Sequence, residues 1–412
     1  LPGPSEERSR RGVSPVTGAL LVFATLVWAY LGFAGWRTTD GLPSLKDLTG
    51  EAPPGGFPPL SVIVPCRDEA ATVLPALRSL LGQDYPGLDV VAIDDRSGDA
   101  TGQILDDLSR LDPRLRVLHV RDLPAGWLGK THACHRGSQV AGGRFLLFTD
   151  ADVLFSPEAL RRAVGYAVRH RLGHLVTLPS LIAPGFLERA LVATFAILAS
   201  AKFRVWELNR AGTAGFVGVG AFNLVERDAY ERAGGHARLA LEVVDDVKLG
   251  LVLRRSGVPQ AALDSGGLVR VRWNPGFRAT LRGLVKNAFA AAEWRWWPIL
   301  WGAALGGAAS LGPLLAVLLL PSRLFILPLL PILLTGAVHA GAARRIAGGR
   351  GLEGAVYPLC DAALLSVGLW SALRATLRGG IEWRGTRYPL SLLRQGCVRE
   401  AEWSRGAAVG WD

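Results

Sequence analysis

The sequence has no methionine and only four cysteines in 412 residues. The missing methionine, at position 1 as elsewhere, excludes no function. The cysteines, Cys66, Cys134, Cys360 and Cys397, are scattered, with no Cys-x-x-Cys. That spacing provides neither a disulfide framework nor a zinc site, and it suits a reducing compartment. His132-x-x-His135 and His170-x-x-x-His174 lack the Glu or Cys partners of a zinc site and read as surface or packing residues. No Gly-x-Gly-x-x-Gly follows the first or second predicted strand, which argues against a nicotinamide-type dinucleotide site. Gly126–Lys130 is too short for a Gly-x-x-x-x-Gly-Lys-Ser/Thr loop, which argues against an NTPase.

Charge is the next imbalance. Lys and Arg number 46 against 35 Asp and Glu, a net +11. Nucleic acid and an anionic membrane surface are the usual partners of such a balance. Much of the excess is Arg beside apolar runs in the C-terminal third, which favours a lipid bilayer and no nucleic acid. Half of the residues are apolar, unevenly placed. Long uncharged runs stand at the start and in the last third, and the middle reads as a soluble α/β domain.

Residues 1–15 form a basic N-terminal tail with Arg8, Arg10 and Arg11. No charge occurs over 16–36. At ~1.5 Å per residue, a helix of roughly 20 residues covers the ~30 Å hydrocarbon layer. Trp28, Tyr30 and Trp36 add interfacial aromatics, so this is the predicted membrane anchor. A cleaved signal peptide would have a shorter apolar run and a small-x-small site. Residues 37–59 read as a Pro/Gly-rich linker.

From 60 to 275, apolar strands alternate with helical patterns at the spacing of βαβ units. Strands are expected at Leu60–Val64, Val90–Ile93, Arg116–Val120 and Phe145–Phe148, with further ones near Leu175–Leu181 and Leu268–Trp273. That order predicts a largely parallel sheet, whose ligands bind at the carboxyl ends of strands. Polar clusters fall at three such ends: Arg67/Asp68/Glu69, Asp94/Asp95 and Asp150/Asp152. Asp150 and Asp152 share a strand face, with Ala151 on the other. Such a pair suits a divalent cation bridging to an anion, or a cap for the helix that begins near Ser156-Pro157-Glu158. Asp245-Asp246 opens an apolar helix, where acid also suits the helix dipole. The glycines at 212–220 permit close backbone approach, either to a ligand or to another strand. Gly185–Arg204 reads as an apolar helix, in the core or on a membrane surface.

Residues 276–297 are expected to form an interfacial amphipathic helix, basic and ending in Trp294, Trp296 and Trp297. Residues 298–373 hold two or three membrane helices, over about 298–320, 324–343 and 355–373. The third contains Asp361, and an intramembrane acid usually faces protein or water. The basic C-terminal tail, 374–412, should be cytoplasmic by the positive-inside rule. With a cytoplasmic domain and three spans the tail would lie outside, a conflict the sequence does not resolve.

Pro65–Glu69, Asp94–Thr101, Gly129-Lys130, Asp150-x-Asp152 and Asp245-Asp246 stand in an order and spacing that resemble family 2 inverting glycosyltransferases. The resemblance covers about 58–275, and the membrane flanks are similar to those of lipid-glycosylating members. Among these are ceramide glucosyltransferase-like, hopanoid-associated and carotenoid glycosyltransferases. It implies a GT-A fold, Rossmann-like, with a mostly parallel sheet flanked by helices and transmembrane helices on both sides. It also implies roles. Pro65, Arg67, Asp68, Glu69, Asp94 and Asp95 would hold the uracil and ribose of a UDP-sugar. Lys130 would approach the donor's phosphates or sugar. Asp150 would contact ribose or metal, and Asp152 would bind Mg²⁺ or Mn²⁺. Asp246, with Asp245 beside it, would be the general base. Gly218, Gly220 and Asn223 would line the sugar and acceptor pocket. Arg272-Trp273 resembles the end of a Gln/Arg-x-x-Arg-Trp motif, with Val269 standing where Gln or Arg is expected. That departure argues against processive polysaccharide synthesis. The expected function is transfer of a sugar, from UDP-hexose, to a hydroxyl of a membrane lipid acceptor. The expected place is the cell membrane, multi-pass, with the catalytic domain facing the cytoplasm. A processive synthase and an inactive membrane-anchored scaffold are the alternatives.

Overall fold

The computed structural model describes residues 14–210, 212–321 and 324–400. The basic residues Arg8, Arg10 and Arg11 and the tail beyond 400 lie outside them. The chain forms two units, one built from 42–182, 203–273 and 380 onward, the other from the segments up to 41, 183–202 and 274–379.

The first unit is organised on β1 (Leu60–Cys66), β2 (Leu88–Asp95), β3 (Leu115–Val120), β4 (Phe145–Phe148), β5 (Val153–Phe155), β6 (His174–Leu178), β7 (Ser180–Leu181), β8 (Asn223–Glu226), β9 (Gln260–Asp264) and β10 (Val269–Val271). A seven-stranded sheet runs β3-β2-β1-β4-β8-β6-β9, and a three-stranded one β5-β10-β7. In the larger sheet only β8 is antiparallel to its neighbours, so the sheet is mixed and mostly parallel, flanked by helices. β1 lies between β2 and β4, with helices on both faces, so Leu60, Val62, Ile63 and Val64 are all fully buried rather than alternating. Each such side chain contributes roughly 1.5–3 kcal/mol. The helix Val73–Leu81 buries Val73, Ala76, Leu77 and Leu80, one face at helical spacing. Because β1, β2 and β4 are parallel, the carboxylates that end them stand along one edge.

The expected linker is part of this unit. Leu42 and Leu45 are buried, and Ser44 bridges to Asp264, so the domain starts at 42. Pro and Gly there mark a packed, irregular segment. After the second unit the chain adds a hairpin, β11 (Gly380–Trp383) with β12 (Thr386–Pro389), and the short helix Leu390–Gln395. Residues 380–400 therefore belong to the same unit as the sheet.

The second unit is helical. Trp28, Ala193, Ile197, Ala309, Ala342 and Ala343 pack together, which makes Phe186–Phe203 a core helix of this unit. Asp361 is buried with its Oδ1 3.2 Å from Nε2 of His339, so the intramembrane-type acid faces protein. Among the described residues two helices are long and apolar enough to cross a membrane, Pro15–Gly41 and Leu352–Leu377. Trp296–Ser310 and Gly312–Leu319 reach that length only together, bent by 48° at a break where Pro313 removes a backbone donor. The run expected over 324–343 becomes helical only from Leu329, ends in Arg344-Arg345, and is not in that set. The helix expected over 276–297 stops at Ala291, where Glu293 and Trp294 take left-handed backbone angles.

Within the sheet, His174 on β6 is fully enclosed, and its Nε2 lies 2.6 Å from Oδ1 of Asn223 on β8. Burial pulls the imidazole down to about 4 from 6.5. The unfolded chain therefore binds a proton between those values that the folded chain refuses. Stability should be full above pH 6.5 and fall as pH drops toward 4, by up to about 3 kcal/mol from this one ring. Denaturant unfolding at pH 7.5 and 5 measures it, and His174→Gln should flatten the difference.

Candidate active site

β4 ends at Phe148, and the chain passes through Thr149 to Asp150 at the carboxyl edge of the sheet. The Thr149 hydroxyl donates to the Ala221 carbonyl at 2.8 Å, which fixes this exit against the glycine-rich segment. The Asp150 N–H donates to the Gly220 carbonyl at 3.0 Å. In turn the Gly220 N–H donates to Asp246 Oδ2 at 2.8 Å, and the Val247 N–H to Asp246 Oδ1 at 2.8 Å. Asn223 accepts from His174 through Oδ1 and donates through Nδ2 to the Asp246 carbonyl at 3.3 Å. Asp150 and Asp246, 96 positions apart in sequence, are thus joined through one glycine.

The glycines serve close backbone approach within the protein. A Cβ at Gly218 would lie 1.6 Å from the Asp246 carbonyl oxygen, and one at Gly220 would lie 2.6 Å from Asp150 Oδ2. Only a residue without a side chain lets the start of the helix Asp245–Arg255 come this near to β4.

Lys130 opens the helix Gly129–Val140 and places Nζ 2.7 Å from Asp150 Oδ1. Burial works to lower its pKa, but Asp150, Asp245 and Asp246 together hold it well above the ordinary value. Burial pushes the Asp246 carboxyl up, and Lys130 pulls the other way. Asp152 is pushed up to about 7 by burial and by the charges of Asp150 and Glu69. Pro65, Lys130, Phe148, Asp150, Gly220, Asn223, Asp245 and Asp246 line one small cavity, with Cys134 and His236 at its back.

The other expected residues form a second group on the same edge. Asp94 and Asp95 are adjacent on β2, so they face opposite ways. Asp94 Oδ2 is 3.0 Å from Nδ1 of His119, whose Nε2 meets Asp106. Asp95 is buried and receives Arg96 Nε at 2.8 Å, with Arg67 Nη1 at 3.6 Å. Asp68 accepts the Gly98 N–H at 2.7 Å, and Glu69 N–H donates to Thr101 Oγ1 at 2.8 Å. Arg272 and Trp273 follow β10. That strand pairs antiparallel with β5, Val271 opposite Val153, and the same register carried one residue further sets Arg272 across from Asp152.

Two sets of groups could hold a cation. Asp150 and Asp152 are the expected one. The elevated Asp152 carboxyl marks a place where negative charge is short of a partner, and a divalent cation would relieve it. The other set is Cys134, His236 and Asp245, all buried, with ligand atoms within 4.8 Å of one another. Its positions are too far apart in sequence for spacing to reveal. Lys130 already supplies positive charge to Asp245, and Tyr230 OH holds His236 Nδ1 at 2.9 Å. Sequence reasoning also missed Arg96 and Thr149, which look like ordinary loop residues until the strand ends are brought together.

A mostly parallel sheet has acid groups at its strand ends, a lysine among them and a second acid pair folded back onto them. Residues 61–233 match the family model described as glycosyl transferase family 2, and the chain carries a domain of that family. The chain is similar to 4,4'-diaponeurosporenoate glycosyltransferase of Staphylococcus aureus, 26% identical over 236 residues, covering 57% of this chain and 61% of that one. The counterpart in Staphylococcus haemolyticus is 25% identical over 241 residues, with 57% and 62% covered. The chain thus spans about three fifths of the length of these relatives. Among solved structures it has a distant likeness to the mannosyltransferase PcManGT from Pyrobaculum calidifontis in complex with GDP-Man and Mn²⁺. That likeness has a TM-score of 0.48 and 19% identity over 88% of this chain and 94% of that one.

The approach at Gly218 can be tested directly. Gly218→Ala should force the Asp246 segment away and cost roughly 1–3 kcal/mol or more. Gly142→Ala, whose added methyl meets nothing within 4 Å, should be nearly neutral. Denaturant midpoints of the two variants give the comparison.

Proposed function

We propose that the chain is an inverting glycosyltransferase that moves a hexose from a nucleotide sugar, UDP-hexose, to a hydroxyl of a membrane lipid. The observation that supports this most is the position of Asp246. Its carboxylate is held by two backbone N–H groups, raised in basicity by burial, and set beside the Lys130–Asp150 pair.

An acceptor hydroxyl is a weak nucleophile until its proton is removed, and Asp246 is the base that takes it. Asp245, with His236 Nε2 3.8 Å from its Oδ2, backs that position. A single displacement assisted by one base inverts the sugar carbon. On the donor side, Pro65, Arg67, Asp68, Glu69, Asp94 and Asp95 form the nucleoside edge, and Lys130 meets negative charge arriving on the leaving diphosphate. Asp150 and Asp152 would hold Mg²⁺ or Mn²⁺, which when bound supplies further charge stabilisation to the leaving group. Gly218, Gly220, Asn223, Arg272 and Trp273 complete the sugar and acceptor side.

The lipid acceptor is supported by the apolar helices and by the relatives, which are named for glycosylating 4,4'-diaponeurosporenoate. The domain and the described tail belong to one unit, so the chain between Trp273 and Gly380 crosses the bilayer an even number of times. With Arg374, Arg378, Arg384, Arg387 and Arg394 on that side, the catalytic domain faces the cytoplasm of a multi-pass cell-membrane protein. Two C-terminal spans fit this reading, and three would not.

In cells expressing the chain, lipid extracts should contain a species heavier by one hexose than in cells without it. Asp246→Asn should lower its formation on the order of 10²–10⁴-fold while nucleotide binding persists. Asp152→Ala and chelation of divalent metal should both weaken nucleotide binding. An Asp246→Asn chain that makes the same lipid product would leave an inactive scaffold as the better reading, and a high-mass polymer would favour a processive synthase.

A further inference from the structure

The β11–β12 hairpin lies outside the matched family domain, yet its tip meets the nucleoside edge. Trp383 pairs with Thr386, which leaves Arg384-Gly385 as a two-residue turn. Their φ values are 50° and 77°. A two-residue turn with both central φ angles positive is the type I′ hairpin turn, which favours Asn, Asp or Gly at its first central position. Arginine there is conformationally disfavoured. Such an outlier points to a role for the side chain.

That side chain and its backbone touch all of Arg67-Asp68-Glu69. Arg384 Nη2 is 3.0 Å from Glu69 Oε1, and Nη1 is 3.9 Å from Asp68 Oδ2. The Arg384 carbonyl accepts from Arg67 Nη2 at 2.7 Å. Two further residues of this edge, Asp68 and Arg96, also hold positive φ, at 55° and 58°. Among the described residues seven non-glycine positions do so, and three of them converge here.

Charge gives the guanidinium a purpose. Asp68, Glu69, Asp94 and Asp95 would repel an anionic nucleoside diphosphate, and Arg67 and Arg96 offset only part of that. Arg384 is a further cation, brought by a distant part of the chain. Downstream, the same segment is tied to the region that carries Asp246. Lys248 Nζ donates to the Val398 carbonyl at 2.6 Å, and the Val398 N–H donates to Glu242 Oε1. The segment that follows the hairpin is thus tied into this unit, while the hairpin tip rests on part-exposed ion pairs that give way easily to a ligand.

We propose that Arg384 is a donor-positioning residue: the hairpin tip forms a wall of the nucleotide site, and its guanidinium lets an acid-lined edge accept a nucleoside diphosphate. This rests on the nucleotide-sugar reading above.

The test uses the full chain in detergent with UDP and UDP-glucose as probes. Arg384→Asn suits the turn better than arginine does, so the hairpin should persist with equal or higher thermal stability. UDP binding should weaken about five- to tenfold, the donor KM should rise with it, and kcat and the acceptor KM should hold. Arg384→Glu should bind more weakly still, and the spread among the three chains should shrink as salt is raised. Equal UDP affinity in wild type and Arg384→Asn overturns the proposal. So does a loss of thermal stability in Arg384→Asn that is accompanied by equal falls in every kinetic parameter. A wild-type chain that binds neither probe overturns the nucleotide-sugar reading as well, which separates the two failures.

Discussion

The Lys130 ammonium stands among the carboxylates at the end of β4, and the arrangement of the site depends on it. Asp150, Asp245 and Asp246 all press on Lys130, which in turn contacts Asp150 at 2.7 Å. Without that charge the three acids could not share the end of β4, since each additional buried like charge raises the cost of ionising the next. The consequence is a division of labour. Asp152 is left short of positive charge, which suits a residue that takes a cation with its ligand, while Asp246 is kept ionisable but basic.

Backbone geometry makes this crowding possible. Gly218 and Gly220 let two segments approach to distances that any side chain would forbid, and Gly220 donates to one acid while accepting from the other. Asn223 extends the chain of contacts to buried His174, so the acid helix, the glycine segment and the sheet interior hold one another. Removing any one of these would loosen the geometry of the others.

Much of this was legible in the sequence, for identifiable reasons. Continuous apolar runs ending in acid marked β1, β2 and β4, because buried parallel strands leave both signals. The role of the glycines was readable only as close approach, since nothing in 212–220 says what approaches. The short strands β5 and β9 were missed: the first is three residues long, and the second, Gln260–Asp264, is short and lacks a β-branched or aromatic residue. Cys134, His236 and Asp245 meet only in three dimensions. The hairpin was missed because Gly and Arg there look like solvent-exposed connection, whereas Arg384 lies on Glu69. Composition alone does not register a break such as that before Pro313 in the run over 298–320.

In the proposed reaction one carboxylate, Asp246, activates the acceptor for a single displacement. The anomeric configuration of the glycoside product, read by NMR from a donor of known configuration, tests it most directly. An α-linked nucleotide sugar should give a β-linked glycolipid. An α-linked product would require a second displacement or a front-face departure and would contradict the assignment.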